Sequence, residues 1–206
     1  MYPIYLKLTS TPCLVVGGGK VAERKIAALL DAGATVTVVA PQFTHDIETW
    51  AREDKIFALY KRIYKKGEAA HYFCIIAATN DSETNRTISK DARECGKLVN
   101  VVDTPDLCNF YVPSIINRGR LQIAISTAGS FPGMSKKIRK ELEPLFTGQH
   151  ARLMDILAGF HTELKRKVDS HDQRMLTYAK VVDSEELQEF LDGNESPLER
   201  LLQQCI

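Results

Sequence analysis

Three glycines, Gly17-Gly18-Gly19, follow the apolar run Pro12-Cys13-Leu14-Val15-Val16 and precede a helical pattern that begins at Lys20. Those residue types at that spacing can hold a diphosphate. Gly17 permits a tight turn off a strand, and Gly19, with no Cβ, lets an anion lie against the backbone. Ala22 completes G-x-G-x-x-A and is small enough for the helix to pack close to the strand. The helix over 20–32 then aims its first N–H groups and positive dipole end at the anion. The same residues would also serve as a glycine turn that binds nothing.

Three further stretches stand where an α/β sheet presents ligands, beyond the carboxyl ends of apolar strands. Pro41-Gln42 follows the run 35–40. Neither the ribose-binding Asp or Glu nor an Arg for a 2′-phosphate stands there, which favours NAD over NADP. Thr79 follows the run 72–78 and can bond a ribose or phosphate; Thr79 or Asp81 can equally cap the next helix. Asp103 ends Asn100-Val101-Val102, where a carboxylate can take or hold a proton beside a hydride acceptor. Its alternative is a turn aspartate ahead of Pro105. Later, Ser126, Thr127 and Ser130 surround Gly129 ahead of another helix, a hydroxyl cluster suited to carboxylate or phosphate groups, or to capping.

The positioning elements can be read from periodicity. Runs 12–16, 35–40, 72–78 and 98–102 are short, β-branched and apolar on both faces, as buried parallel strands are. A weaker run, 56–60, adds a fifth. Helical patterns over 20–32 and 81–95 alternate with them, the first placing Val21, Ile26, Ala28, Leu29 and Leu30 largely on one side and the second ending at Gly96. The prediction is an α/β fold: a Rossmann-type doubly wound parallel sheet over 1–112. After it come a turn at 104–106 and a segment, 108–116, whose Pro113 excludes a central strand. A second turn at 118–120, a strand at 121–127 and a helix at 134–146 then make a small α+β unit over 113–148. Such a unit is too small to bury both faces, so it is expected to pair with a second copy. A helical region over 149–206 completes the chain, with a capping box at Ser196-Pro197-Leu198-Glu199 and a helix start at 183–186.

Composition narrows the classes. Of 206 residues, 44% are hydrophobic and 26% charged, the proportions of a globular protein. No run approaches the ~20 apolar residues that cross a bilayer, and no signal peptide is visible, so a cytoplasmic protein without a membrane partner is expected. Five scattered cysteines without C-x-x-C suggest buried thiols in a reducing compartment. The five histidines lack ligand spacing, and no metal is assigned. Net charge is +1, but 113–168 carries ten basic and four acidic side chains, and 169–206 carries three and nine. The basic segment suits a polyanion or an acidic helical neighbour. Lys136-Lys137-Ile138-Arg139-Lys140 has no interleaved aromatics, so nucleic acid is not expected.

Taken in order, Pro3-Ile4-Tyr5-Leu6, Val15 through Lys25, Ala77-Ala78-Thr79-Asn80, Asn100-Val101-Val102-Asp103, Phe110 through Ile116 and Ala124 through Gly129 resemble the precorrin-2 dehydrogenase family of siroheme synthesis. The resemblance spans about residues 1–145. It implies oxidation of precorrin-2 to sirohydrochlorin with NAD⁺, a tetrapyrrole substrate and a homodimer. It places Gly17, Gly18, Gly19, Lys20, Val21, Pro41 and Gln42 at the cofactor and Asp103 in catalysis; by their own positions Thr79 joins the cofactor residues, and Ser126, Thr127 and Ser130 are expected at the substrate. Thr127 departs from the family's serine but keeps a hydroxyl. Some members also insert Fe²⁺, so a bifunctional dehydrogenase–ferrochelatase is an alternative, and a non-catalytic NAD-sensing dimer is another.

Overall fold

The computed structural model describes all 206 residues, Met1–Ile206. They divide into two compact units, Met1–Val112 and Pro113–Ile206.

The first unit is a five-stranded parallel sheet of β1 (Pro12–Val16), β2 (Thr35–Ala40), β3 (Ala58–Lys61), β4 (Cys74–Ala77) and β5 (Leu98–Val101), in the order β3-β2-β1-β4-β5. Its central strands bury both faces, which is why they read as unbroken apolar runs. Cys13, Val15, Val36, Val38, Cys74 and Ile76 share one cluster with Ala22, Ile26 and Leu29 of α1 (Lys20–Asp31) and Ile47 of α2 (His45–Arg52). Leu14, Val16, Val39, Ile75, Ala77, Val99 and Val101 face the other way, onto Ile88 and Ala92 of α3 (Ser82–Glu94). The face of α1 that is buried is thus Ala22, Ile26 and Leu29; Ala28, expected among the apolar stripe, is exposed. The weak run 56–60 yields an edge strand displaced by two residues, because Ile56 turns inward and is buried before β3 begins.

The chain runs outward from β1 to β2 and β3, then returns to place β4 on the other side of β1. That reversal opens a crevice above the carboxyl ends of β1 and β4, where ligands of open α/β sheets bind.

The second unit begins with a hairpin, β6 (Ser114–Arg118) antiparallel to β7 (Leu121–Ile125). Strand β6 was not among the expected strands, but it is no central strand: it is an edge of a two-stranded sheet, and Pro113 lies just ahead of it, so its missing N–H costs the ladder nothing. Gly119 has φ +62° in the two-residue connection, which suits the first central position of a type II′ turn. After the loop 126–131, α4 spans Pro132–Leu142 and gives way to a 3₁₀ turn at Glu143–Leu145. The predicted continuous helix to 146 fails at Pro144: Glu143 keeps helical angles, φ −57° and ψ −37°, but the proline has no N–H to extend the helical ladder. Helices α5 (Gly148–Lys167), α6 (His171–Val182), α7 (Glu185–Leu191) and α8 (Ser196–Gln204) follow. They close a core of Leu153, Phe160, Leu164, Val181, Phe190, Leu198, Leu201 and Leu202. Ser184 caps α7 by accepting the Leu187 N–H at 3.3 Å. The capping box expected at Ser196 does not form: Glu195 precedes α8 with helical backbone angles and no side chain caps the helix.

No helix is long and apolar enough to cross a membrane. Cys13 and Cys74 are buried opposite one another on β1 and β4, whereas Cys95 is exposed and Cys108 and Cys205 are partly so.

Candidate functional site

The glycine loop is held by its neighbours at the crevice. The Gly17 N–H reaches the Val39 carbonyl at 2.9 Å, and the Ala78 N–H reaches Val16 at 2.8 Å. Gly17 has φ +132°, and a Cβ there would lie 2.3 Å from the Ala78 carbonyl oxygen. A Cβ on Gly18 would lie 1.9 Å from the Gln42 carbonyl oxygen. Gly19 differs: no atom lies within 4 Å of where its Cβ would be. It is the N-cap residue of α1, in extended conformation, and no side chain occupies the cap. The first two glycines therefore close the turn against β4 and the Pro41-Gln42 segment. The third leaves an open cradle at uncapped helical N–H groups, which fits a dinucleotide's diphosphate.

The remaining candidates of the first unit reach the same edge of the sheet. Pro41 and Gln42 follow β2 and are exposed. Lys20 is exposed as well, with its ammonium 3.0 Å from Glu23 and 3.4 Å from Asp46. Val21 is half-buried beside it. Thr79 donates to Asn85 Oδ1 at 2.8 Å, and Asn85 Nδ2 donates back to the Thr79 carbonyl at 3.0 Å. Asp81, not Thr79, caps α3, accepting the Glu83 N–H at 3.1 Å and the Thr84 hydroxyl at 2.6 Å. Thr79 is thus a fixed hydroxyl buttressed by the buried Asn85, a residue that sequence periodicity alone does not single out.

Asp103 is exposed just past β5 and has φ +57°. It sits third in a turn closed by the Thr104 N–H to Val101 carbonyl bond at 3.3 Å, the position where type II turns require positive φ. Asp tolerates that region better than most residues. Behind the turn, residues 104–110 fold along the outer edge of β5. Ser89 donates to the Leu107 carbonyl at 2.7 Å, and Arg93 donates to Asp106 and Cys108 carbonyls at 3.1 and 2.9 Å. Burial pushes the Cys108 thiol's pKa up, against the opposing pull of the Val101 N–H, Arg93 and Lys25.

Lys25 is the other residue that pattern reading missed. It lies between Ala22 and Leu29 on α1, half-buried, with no hydrogen bond or ion pair. Burial, with Arg24 beside it, holds its ammonium below the usual lysine range, while Asp103 and Cys108 pull the other way. A cation within an amphipathic helix's sheet-facing stripe was the available signal.

The hydroxyl loop belongs to the second unit. Ser126 Oγ accepts the Ala128 N–H at 3.1 Å, and Thr127 Oγ1 accepts the Phe131 N–H at 3.3 Å. Ser130 Oγ donates to the Thr127 carbonyl at 2.5 Å. Ala128 and Gly129 both have positive φ, 56° and 79°. All three hydroxyls thus shape their own loop, and Ser126 and Thr127 each retain a proton to donate. On the following helix, Lys137 and Arg139 pair with Glu141 and Glu143, leaving Lys136 and Lys140, one turn apart and exposed, without acidic partners.

Comparison with known proteins bears on both units. Residues 4–114 match a family described as putative NAD(P)-binding, and residues 118–144 match the central part of sirohaem biosynthesis proteins. A siroheme synthase of Methylobacillus flagellatus is 35% identical over 204 residues, covering 99% of this chain and 44% of that protein. A siroheme synthase of Neisseria meningitidis serogroup C is 41% identical over 179 residues, covering 87% and 37%. The chain therefore spans less than half the length of these curated relatives. Among solved structures it is similar to SirC, a precorrin-2 dehydrogenase, with a TM-score of 0.83 and 28% identity over 100% of this chain and 98% of that one.

Proposed function

This chain belongs to the putative NAD(P)-binding family, and from that premise we propose that it oxidises precorrin-2 to sirohydrochlorin with NAD⁺ as hydride acceptor. The observation that carries the reading is the open, uncapped cradle at Gly19, set at the strand-order reversal of a chain that aligns end to end with a precorrin-2 dehydrogenase. The backbone of Gly17–Val21 would hold the diphosphate, with Pro41 and Gln42 at the adenosine ribose and Thr79 toward the nicotinamide half. NAD⁺, when bound, supplies the hydride acceptor. The chain's own residues supply position and proton handling. Asp103 takes the proton released as the macrocycle gains conjugation, from a turn that projects its carboxylate at the sheet's edge. Ser126, Thr127 and Ser130 would meet the substrate, with Lys136 and Lys140 available to its carboxylates. Much of the driving force lies in the more conjugated product, so holding the substrate in place is the protein's main task.

The chain would act as a homodimer. One face of the β6–β7 hairpin packs on helices through the buried Ile116, and the other exposes Ile115 at 47%. A two-stranded sheet with an open apolar face is marginal alone.

The deciding experiment follows absorbance as precorrin-2 is converted, with NAD⁺ and with NADP⁺ in parallel. Appearance of the sirohydrochlorin spectrum with a preference for NAD⁺ is expected. NADH binding without turnover would instead favour a sensing module, and a further spectral change on adding Fe²⁺ would add chelation to the activity.

A further inference from the structure

Strand β5 is the edge of the parallel sheet, so its outward N–H and C=O groups need partners. Asn109 and Cys108 supply them. Asn109 accepts the Val99 N–H at 2.7 Å through Oδ1, and its backbone N–H donates to the Val99 carbonyl at 3.0 Å. One step along the strand, Cys108 does the same with sulfur. Its Sγ accepts the Val101 N–H at 3.1 Å, and its S–H donates toward the Val101 carbonyl at 3.2 Å and the Thr104 carbonyl at 3.4 Å. Asn100 Nδ2 adds a contact to the sulfur at 3.6 Å and a bond to the Phe110 carbonyl at 3.1 Å.

Val101 and Thr104 are the two ends of the turn that carries Asp103. The other anchors of this segment, Ser89, Arg93 and Asn109, hold residues 97–99 and 106–109. Across Asp103 itself, the Thr104 hydroxyl donates to the Val102 carbonyl at 3.4 Å, and the thiol is the side chain from outside the turn that grips both of its ends. It also faces a cost: Asp103 is a non-glycine residue at positive φ, a conformation that persists only when its surroundings over-determine it. We infer that Cys108 is a positioning residue for Asp103, its thiol replacing a missing strand at the sheet edge and thereby locking the turn that aims the carboxylate. This rests on the reading of Asp103 as the proton acceptor. A weak donor and acceptor suffices because it bonds backbone groups in a half-buried site.

Cys108→Ala, Cys108→Ser, Asp103→Asn and the Cys108→Ala/Asp103→Asn pair test it. In Cys108→Ala, the Val101 amide should exchange at least about tenfold faster. Displacing a catalytic group by even about 1 Å can cost ~10²-fold, so kcat for precorrin-2 should fall by about tenfold or more. NAD⁺ affinity by calorimetry and KM should stay within about twofold, because the glycine loop is untouched. Serine should restore most of the turnover. Within Asp103→Asn, removing the thiol should cost nothing further, the non-additivity of groups acting as one. The inference is overturned if Cys108→Ala keeps wild-type kcat, if the two losses add, or if NAD⁺ affinity collapses in step with turnover and serine rescues neither. Wild-type protein that fails to oxidise precorrin-2, or an Asp103→Asn variant at full activity, strikes the catalytic reading instead. The thiol's role is then judged by NMR alone: an unchanged positive φ at Asp103, from backbone couplings, together with unchanged Val101 exchange in Cys108→Ala rules it out.

Discussion

Gly18 lies so close beneath Gln42 that a Cβ on the glycine would stand 1.9 Å from the Gln42 carbonyl oxygen, while one residue on, a Cβ on Gly19 would meet nothing within 4 Å. Two adjacent glycines thus answer to different demands. Gly18 is required by the protein's own packing, and Gly19 by what the protein would hold.

That contrast gives opposite outcomes for two substitutions. Gly18→Ala should destabilise the fold by about 1–3 kcal/mol, the usual cost of overpacking against backbone. Gly19→Asp should leave the melting temperature unchanged or slightly higher, since Asp is a favourable N-cap residue, yet abolish NAD⁺ binding by placing a carboxylate against the diphosphate. Thermal denaturation and calorimetry on the two variants separate these effects. Undiminished NAD⁺ affinity in Gly19→Asp would remove the cradle from the mechanism.

Asp103 should be replaced by two residues, because it has two properties. Asparagine keeps the tolerance for positive φ and loses the charge; alanine loses both. If the carboxylate handles a proton, both variants should lose ~10²–10⁴-fold in turnover with NAD⁺ still bound. If Asp103 only shapes the turn, Asp103→Asn should retain activity where Asp103→Ala does not.

Lys25 makes stability depend on pH in a definite direction. Its folded-state pKa lies below the ordinary value because burial disfavours the ammonium. Between that value and ~10.4 the unfolded chain binds more protons, so stability rises with pH through this window. Lys25→Met should therefore be more stable than the parent at neutral pH, with the difference shrinking as pH approaches ~10.4. Urea denaturation from pH 7 upward measures it, and a difference constant with pH would contradict the assignment.

The exposed face of the hairpin should carry the dimer. Sedimentation of the full chain at micromolar concentration should show a dimer, and Ile115→Asp should shift it toward monomer, because a carboxylate would be buried unpaired at the contact. A monomeric parent chain would end this reading.

The α/β class and the place of the glycine loop were legible because buried parallel strands and amphipathic helices write their period into the chain, as Cys13–Val16 and Ala22, Ile26 and Leu29 do. Strand β6 was harder to see. Pro113 reads locally as an interruption, and only the pairing with β7 reveals that the strand starts one residue later. The helix 134–146 was overextended for the converse reason: its apolar spacing continues past Leu142, but Pro144 has no N–H with which to continue the ladder.

Residue types and their spacing were enough to show which segments are strands and helices over most of the first unit, that Gly17–Ala22 could cradle an anion, and that Asp103 would emerge at a strand end. These are local properties, carried by residue type and spacing within a dozen positions. It took the folded chain to bring Gly18 against Gln42, Asn85 onto Thr79, Lys25 within electrostatic reach of Asp103, and the Cys108 thiol onto both ends of the Asp103 turn. Each of those contacts depends on how a loop returns to a sheet edge or how a helix lies across it. Backbone groups left unpaired by the edge strand recruit whichever side chain the returning loop brings, and no period in the sequence records that choice.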